Sequence, residues 1–238
     1  MNAHRSRSMR RMQPQDIQPD QGPSPPQAPR RPSLLSYLLP RKGFWGLALL
    51  IDLNIAVYLA MVIAGLGVME FQTGDLVDWG ANYGPALEGV GLIRLVTSTF
   101  VHAGLLHIAT NMYGLLLGGL FLAPVARNGR LIFCYLFCGV AGSILSAVTH
   151  PGVVSVGASG AIFGLFGMLF VLAGLGDRRF LAVRRSMFSN AVFIIVINLA
   201  LGFTIPGIDV SAHIGGLIAG CVLGLIFFLT GGRAAPAE

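Results

Sequence analysis

Long apolar runs dominate this chain and short polar breaks separate them. Six stretches, at roughly 44–67, 95–119, 125–148, 157–176, 187–205 and 211–230, are rich in aliphatic and aromatic residues. Each is near the ~20 residues that a helix rising 1.5 Å per residue needs to cross ~30 Å of hydrocarbon. The pattern predicts an all-α polytopic membrane protein, a six-transmembrane-helix bundle over residues 43–231. Before it, residues 1–42 are rich in Arg, Pro, Gln and Ser, a composition that cannot bury enough apolar surface to fold alone. They are expected to form a disordered, basic, Pro-rich cytoplasmic tail, and residues 232–238 a short cytoplasmic C-terminal tail.

Charge tests the segmentation independently, because Lys and Arg concentrate in the cytoplasmic loops of membrane proteins. Six spans return both ends to one side. On that side fall Arg5, Arg7, Arg10, Arg11, Arg30, Arg31, Arg41 and Lys42, then Arg127 and Arg130, then Arg178, Arg179, Arg184 and Arg185, then Arg233. Only Arg94, of the 16 basic residues, falls on the other side, with Glu70, Asp75, Asp78, Glu88 and Asp209. Both termini are therefore expected in the cytoplasm, and the protein is expected in a bacterial inner membrane. The first outer loop, about 27 residues, is too long to be a mere connection. Its Phe71, Trp79 and Tyr83 are expected at headgroup level, making it an interfacial loop.

Composition narrows the picture further. With 54% apolar and 11% charged residues and 32 glycines, the chain is not a soluble domain. The net charge of +6 reads as a topology signal rather than a nucleic-acid surface. Cys134, Cys138 and Cys221 lie inside apolar runs and read as small hydrophobic residues, so no disulfide framework, metal or cofactor is expected.

Polar side chains inside the greasy segments carry the chemistry, since such groups are costly at membrane depth. Ser159, in Gly157-Ala-Ser-Gly160, and His213, in Ala-His-Ile-Gly-Gly216, sit near the outer ends of the fourth and sixth segments. His102, His107 and Asn111 lie in the outer half of the second. A hydroxyl and a neutral imidazole within hydrogen-bond reach form the minimum for nucleophilic catalysis. Gly157 and Gly160 clear space for a substrate backbone, and the Ser159 amide at a helix N-terminus is a donor for an oxyanion. His107 and Asn111, four apart and on one helix face, are side-chain donors for the same charge, and His102 near the mouth orients a loop or water. Gly160 and Gly164, with Gly216, Gly220 and Gly224, form four-residue strips that let two helices approach closely. Standing alone, Ser159 would be read as bonding its own backbone one turn back, and a lone histidine as helix glue or a proton relay. Asp209 is read as a solvated loop or helix-cap residue, and Asp52 and Asn54, at the opposite end, as packing or interfacial residues.

The set His102-Ala-Gly-Leu-Leu-His107-Ile-Ala-Thr-Asn111, Gly157-Ala-Ser159-Gly160 and Ala212-His213-Ile-Gly-Gly216-Leu-Ile-Ala-Gly220 resembles the rhomboid family of intramembrane serine proteases. The resemblance spans about residues 44–230. It implies six helices around a water-filled cavity open to the outer face, with Ser159 as nucleophile, His213 as general base, and His107 and Asn111 at the oxyanion. It implies that Phe163 packs against the catalytic imidazole and that Arg94 is structural in the first loop, where Ile93 replaces the family's usual tryptophan. The implied activity is serine endopeptidase cleavage, through an acyl-enzyme, of single- or multi-span membrane proteins in the bilayer. Two other functions compete: a catalytically silent member that binds membrane clients, and a small transporter, for which polar residues nearer the midplane would be expected.

Overall fold

The computed structural model describes residues 45–182, 184–205 and 207–231. The expectations placed on the two tails lie outside the described residues.

Helix α1 (Gly46–Ile63) forms from the first apolar run. Its first amides are capped from a distance: Asn128 Oδ1 accepts from Trp45 N at 2.7 Å and Gly46 N at 3.0 Å. Its end is a glycine stop. Gly65 takes φ +87°, its amide donates to Val62 and that of Leu66 to Met61, so the last carbonyls are satisfied as the chain turns away.

The first loop holds two short helices, α2 (Thr73–Asp78) and α3 (Arg94–Thr97), with two 3-10 turns between them. It is pinned to the bundle rather than free. The Arg94 guanidinium donates to the carbonyls of Val77 and Ala81, and Thr97 Oγ1 to Gly80 O at 2.8 Å. Asn82 exchanges backbone bonds with Ser155 at 2.9 and 3.0 Å, and its side chain donates to Ser143 O. Phe71, expected at headgroup level, is instead buried against Tyr58 of α1, with ring centroids 5.5 Å apart. Ile93 is exposed.

The second apolar run is one segment by hydropathy but not by structure. Its membrane helix is α4 (Leu105–Leu122), and residues 98–104 form a connector. The reason is a competing set of backbone bonds: Phe71 N donates to Ala103 O at 2.9 Å and Leu105 N to Met69 O at 3.2 Å, so this stretch pairs with the first loop. His102 therefore precedes the helix rather than lying in it.

Helices α5 (Gly129–Thr149), α6 (Ser159–Gly174), α7 (Arg184–Thr204) and α8 (Val210–Gly231) complete the bundle. The described residues contain no β-strand. Among the described residues five helices are long and apolar enough to cross a membrane, while α6 has only 16 residues and rises about 24 Å. Twelve of those residues are buried, so α6 is the central post, surrounded by α4, α5, α7 and α8. Outer helix α7 buries only Met187, Ala191 and Gly202.

Lipid tails are as apolar as leucine, so such helices gain little from hydrophobic burial and associate through close packing and buried hydrogen bonds. Both devices are present. A Cβ on Gly216 would collide with the Gly160 carbonyl and one on Gly220 with that of Gly164, so α8 lies directly on the backbone of α6. Fully buried Asn54 donates to Leu50 O at 2.7 Å and to Tyr135 Oη at 3.2 Å, and Tyr135 donates to Thr99 O at 3.0 Å. This network ties α1 and α5 to the connector that carries His102.

The two ends of the bundle differ chemically. At one end the first loop meets the α5–α6 turn, through Gly84 N to Pro151 O, and that turn meets the start of α8, through His150 Nδ1 and Ser211 Oγ at 3.1 Å. The other end carries Arg179 and Arg184. There Asp177 takes two bonds from the Arg179 guanidinium, at 2.8 and 2.5 Å, while Arg179 also donates to Phe227 O near the end of α8. Arg184 caps the carbonyls of Ala173 and Gly174.

Candidate active site

Ser159 is the first residue of α6, immediately after Ala158. Because Gly157 takes φ +109°, a conformation L side chains rarely adopt, helical geometry cannot extend further back. Ser159 consequently has no helical carbonyl four residues behind it. Its Oγ lies 2.9 Å from His213 Nε2 instead.

His213 sits in the first turn of α8 and is buried. The Phe163 ring, one turn along α6 from Ser159, stacks on the imidazole with centroids 4.2 Å apart and planes 12° apart. The ring thus has its orientation set by stacking on one side and by the serine at its edge. The glycine contacts described above hold the two helices at this separation, since Gly160 adjoins Ser159 and Gly216 lies three residues beyond His213.

His107 and Asn111 of α4 close the opposite side. His107 Nδ1 accepts from Ala103 N at 3.2 Å, which assigns the ring proton to Nε2. A Cβ placed on Gly157 would stand 2.6 Å from that Nε2 and 3.8 Å from Asn111 Nδ2, so both donors border the space left by the missing side chain. Asn111 Nδ2 spends one hydrogen on His107 O at 2.8 Å and keeps a second. The Ser159 amide, in the first turn of α6, has no intrahelical acceptor. His107 Nε2 and Asn111 Nδ2 thus face Gly157, two residues before the Ser159 hydroxyl and amide.

His102 supports this arrangement from behind. It is fully buried, its ring packs edge-on to His107 at 5.2 Å, and its Nδ1 donates to Phe100 O at 3.1 Å. Gly220 and Arg94 are farther away, Gly220 in the α6–α8 seam and Arg94 in the first loop.

Sequence reading passed over a set of serines. A cavity of about 10 Å³, near the size of one water, lies beside Ser159 and is lined by Ser98, Ser143, Ser155 and Gly157. Ser98 and Ser143 hydroxyls are 3.2 Å apart, and Gly157 N donates to Ser98 O. Serine occurs too often in helices and loops for these three to stand out without coordinates. A second cavity, about 400 Å³ between α1 and the first loop, is lined by apolar residues and by Thr97, whose hydroxyl donates to Gly80 O. Among the described residues no group of three His, Cys, Asp or Glu side chains is placed to hold a metal ion, and all three cysteines are unpaired.

Known proteins give the arrangement its context. A family model described as Rhomboid domain matches residues 89–230, more than half of the chain. Rhomboid protease GluP of Bacillus subtilis (strain 168) is 38% identical over 172 residues, covering 72% of this chain and 32% of that protein. RHOMBOID-like protein 6, mitochondrial, of Arabidopsis thaliana is 40% identical over 154 residues, covering 64% of this chain and 48% of its own length. Rhomboid-like protease 5 of Toxoplasma gondii is 32% identical over 143 residues, 60% of this chain and 16% of that protein. The chain thus spans less than half the length of these curated relatives. Its matched region contains α4 to α8, the site and the glycine seam: this integral membrane protein belongs to the rhomboid family.

Proposed function

We propose that the protein is an intramembrane serine endopeptidase that uses Ser159 and His213 as a catalytic dyad. The observation that carries this reading is the 2.9 Å contact between Ser159 Oγ and His213 Nε2, with the donors of His107 and Asn111 bordering the nearby Gly157. Two relatives bear the name protease, which supports the same class.

In the proposed cycle His213 Nε2 takes the Ser159 hydroxyl proton as Oγ attacks the carbonyl carbon of a substrate peptide bond. The Ser159 amide, His107 Nε2–H and the free Asn111 hydrogen receive the negative charge on the carbonyl oxygen. The carbon–nitrogen bond then breaks and the amine leaves with the proton from His213. Water, deprotonated by the same imidazole, attacks the ester, releasing the acid product and restoring the serine hydroxyl.

Substrates in this reading are membrane proteins. A transmembrane helix hides its carbonyls in hydrogen bonds, so a cleavable segment must unwind locally, and helix-weakening residues near its end are expected. The dyad lies at the end of the bundle opposite the arginine-bearing loops, which supports an active site opening to the outer face with the arginines in the cytoplasm. A bacterial inner membrane suits that charge distribution.

The test is cleavage of a model single-span substrate in liposomes by wild type, Ser159→Ala and His213→Ala. Cleavage by wild type alone is expected. Equal cleavage by Ser159→Ala would remove the nucleophile assignment, and substrate capture without cleavage by wild type would favour a client-binding role.

A further inference from the structure

Three buried polar atoms around the site have no hydrogen-bond partner among the described residues, His102 Nε2, His213 Nδ1 and Asp209 Oδ2, and the last two lie one turn apart at the start of α8. A buried polar group left without a partner is costly, so two of them one turn apart call for a common explanation. Asp209 is the N-cap of α8 and His213 lies in its first turn, four residues on. The backbone links them directly, with His213 N donating to Asp209 O at 3.3 Å.

The remaining environment of the imidazole leaves one edge unassigned. Ser159 occupies Nε2 and Phe163 covers a ring face. The titratable side chains near the ring are Asp209 and, from α4, the neutral His107. His107 directs its own Nε2–H towards Gly157, so Asp209 is the acceptor left for Nδ1.

The Asp209 carboxylate is divided between two tasks. Oδ1 accepts from Ala212 N at 3.0 Å, the bond of an N-cap residue to the third helical amide. Oδ2 is not needed for capping. For Nε2 to accept the Ser159 proton, a neutral imidazole must hold its own proton on Nδ1, and that N–H needs an acceptor.

We propose that Asp209 is a positioning residue for His213: its Oδ2, through one bridging water, holds the Nδ1–H and fixes the tautomer in which Nε2 faces Ser159. This rests on the dyad reading above. Asp209 does not touch substrate and takes no proton. One side chain thereby starts α8 and orients the base that α8 carries.

The experiment separates those two tasks. Asp209→Asn and Asp209→Ser both keep an oxygen able to cap Ala212 N, and both lose the carboxylate. The full chain, ¹⁵N-labelled at its five histidines and held in bicelles, is examined by NMR for the proton position on His213, with His213→Gln assigning the signal. Fluorophosphonate labelling rate and the kcat and KM of substrate cleavage are measured on the same samples.

Wild type is expected to show a single Nδ1–H tautomer, and each variant a tautomer mixture, an unchanged melting temperature, an unchanged KM, and at least a tenfold lower labelling rate and kcat. A variant with the wild-type tautomer and rate overturns the proposal. Rate loss that only tracks a fall in melting temperature also overturns it, leaving Asp209 a helix cap. If wild type fails to label at Ser159 while Asp209→Asn still mixes the tautomers, the dyad reading falls and the Asp209–His213 contact stands.

Discussion

Adding one methyl group at Gly216 tests whether the glycine seam sets the catalytic distance. A Cβ there would lie 2.7 Å from the Gly160 carbonyl carbon and closer still to its oxygen. Ordinary carbon–carbon contact begins near 3.5–4.0 Å, so α8 must retreat from α6 by about 1 Å. Gly160 follows Ser159 directly, and Gly216 lies less than one turn beyond His213, so little of that shift can be absorbed before it reaches the dyad. A 2.9 Å hydrogen bond lengthened by about 1 Å is no longer one. Gly216→Ala is expected to lower the labelling rate of Ser159 by about 100-fold, the usual effect of a 1 Å misplacement, and to destabilise the bundle by about 1–3 kcal/mol through overpacking. The assay is fluorophosphonate labelling in detergent below the melting temperature of the variant. Gly129→Ala is the control, because a Cβ there meets nothing within 4 Å. If folded Gly216→Ala labels at the wild-type rate, close backbone packing is not what positions the base.

Other outcomes follow from particular contacts. Asn111→Ala removes one donor beside Gly157 and is expected to lower kcat by about 100- to 1,000-fold with KM nearly unchanged; unaltered kcat in single-substrate kinetics counts against an oxyanion role. Tyr135→Phe leaves Asn54 and Thr99 O short of a partner in a fully buried network, costing about 1–3 kcal/mol, read as a lower melting temperature; an unchanged one would show that the network is not stabilising. The Arg179 guanidinium beside Asp177 holds its carboxyl below the usual carboxylate range. A depressed folded value means that this stability is fully present above the unfolded pKa, about 3.9, and is lost as pH falls through the folded one. Asp177→Asn should therefore be less stable at neutral pH and lose less on acidification below about pH 4; parallel acid-melting curves for the two proteins would contradict this.

Hydropathy and loop charge made the membrane helices legible, because span length and arginine placement are local properties of the chain. Boundaries inside an apolar run were not. Residues 98–104 lead into the helix with no proline or charged residue to mark its start, and what removes them from it is backbone pairing with residues 69–71, a non-local contact. Phe71 likewise has the character of an interfacial aromatic and is buried by Tyr58. The start of α6 was readable to within two residues, since Gly157 marks the break but its positive φ appears only in coordinates. Ser159, His213, His107 and Asn111 stood out because polar groups are rare in such segments. Asn54 also stood out, but its partner Tyr135 did not, because tyrosine in a membrane helix is as readily a lipid-facing residue. The division of Asp209 between a cap and an unpaired oxygen is a matter of side-chain rotamer, which no spacing encodes.

Mass spectrometry of the fluorophosphonate adduct tests the central claim most directly. After proteolysis of labelled wild-type protein, the adduct is expected on the peptide containing Ser159 and on no other. It should be absent in Ser159→Ala and slowed by several orders of magnitude in His213→Ala. An adduct on another residue, or one formed at the wild-type rate without His213, would contradict the dyad.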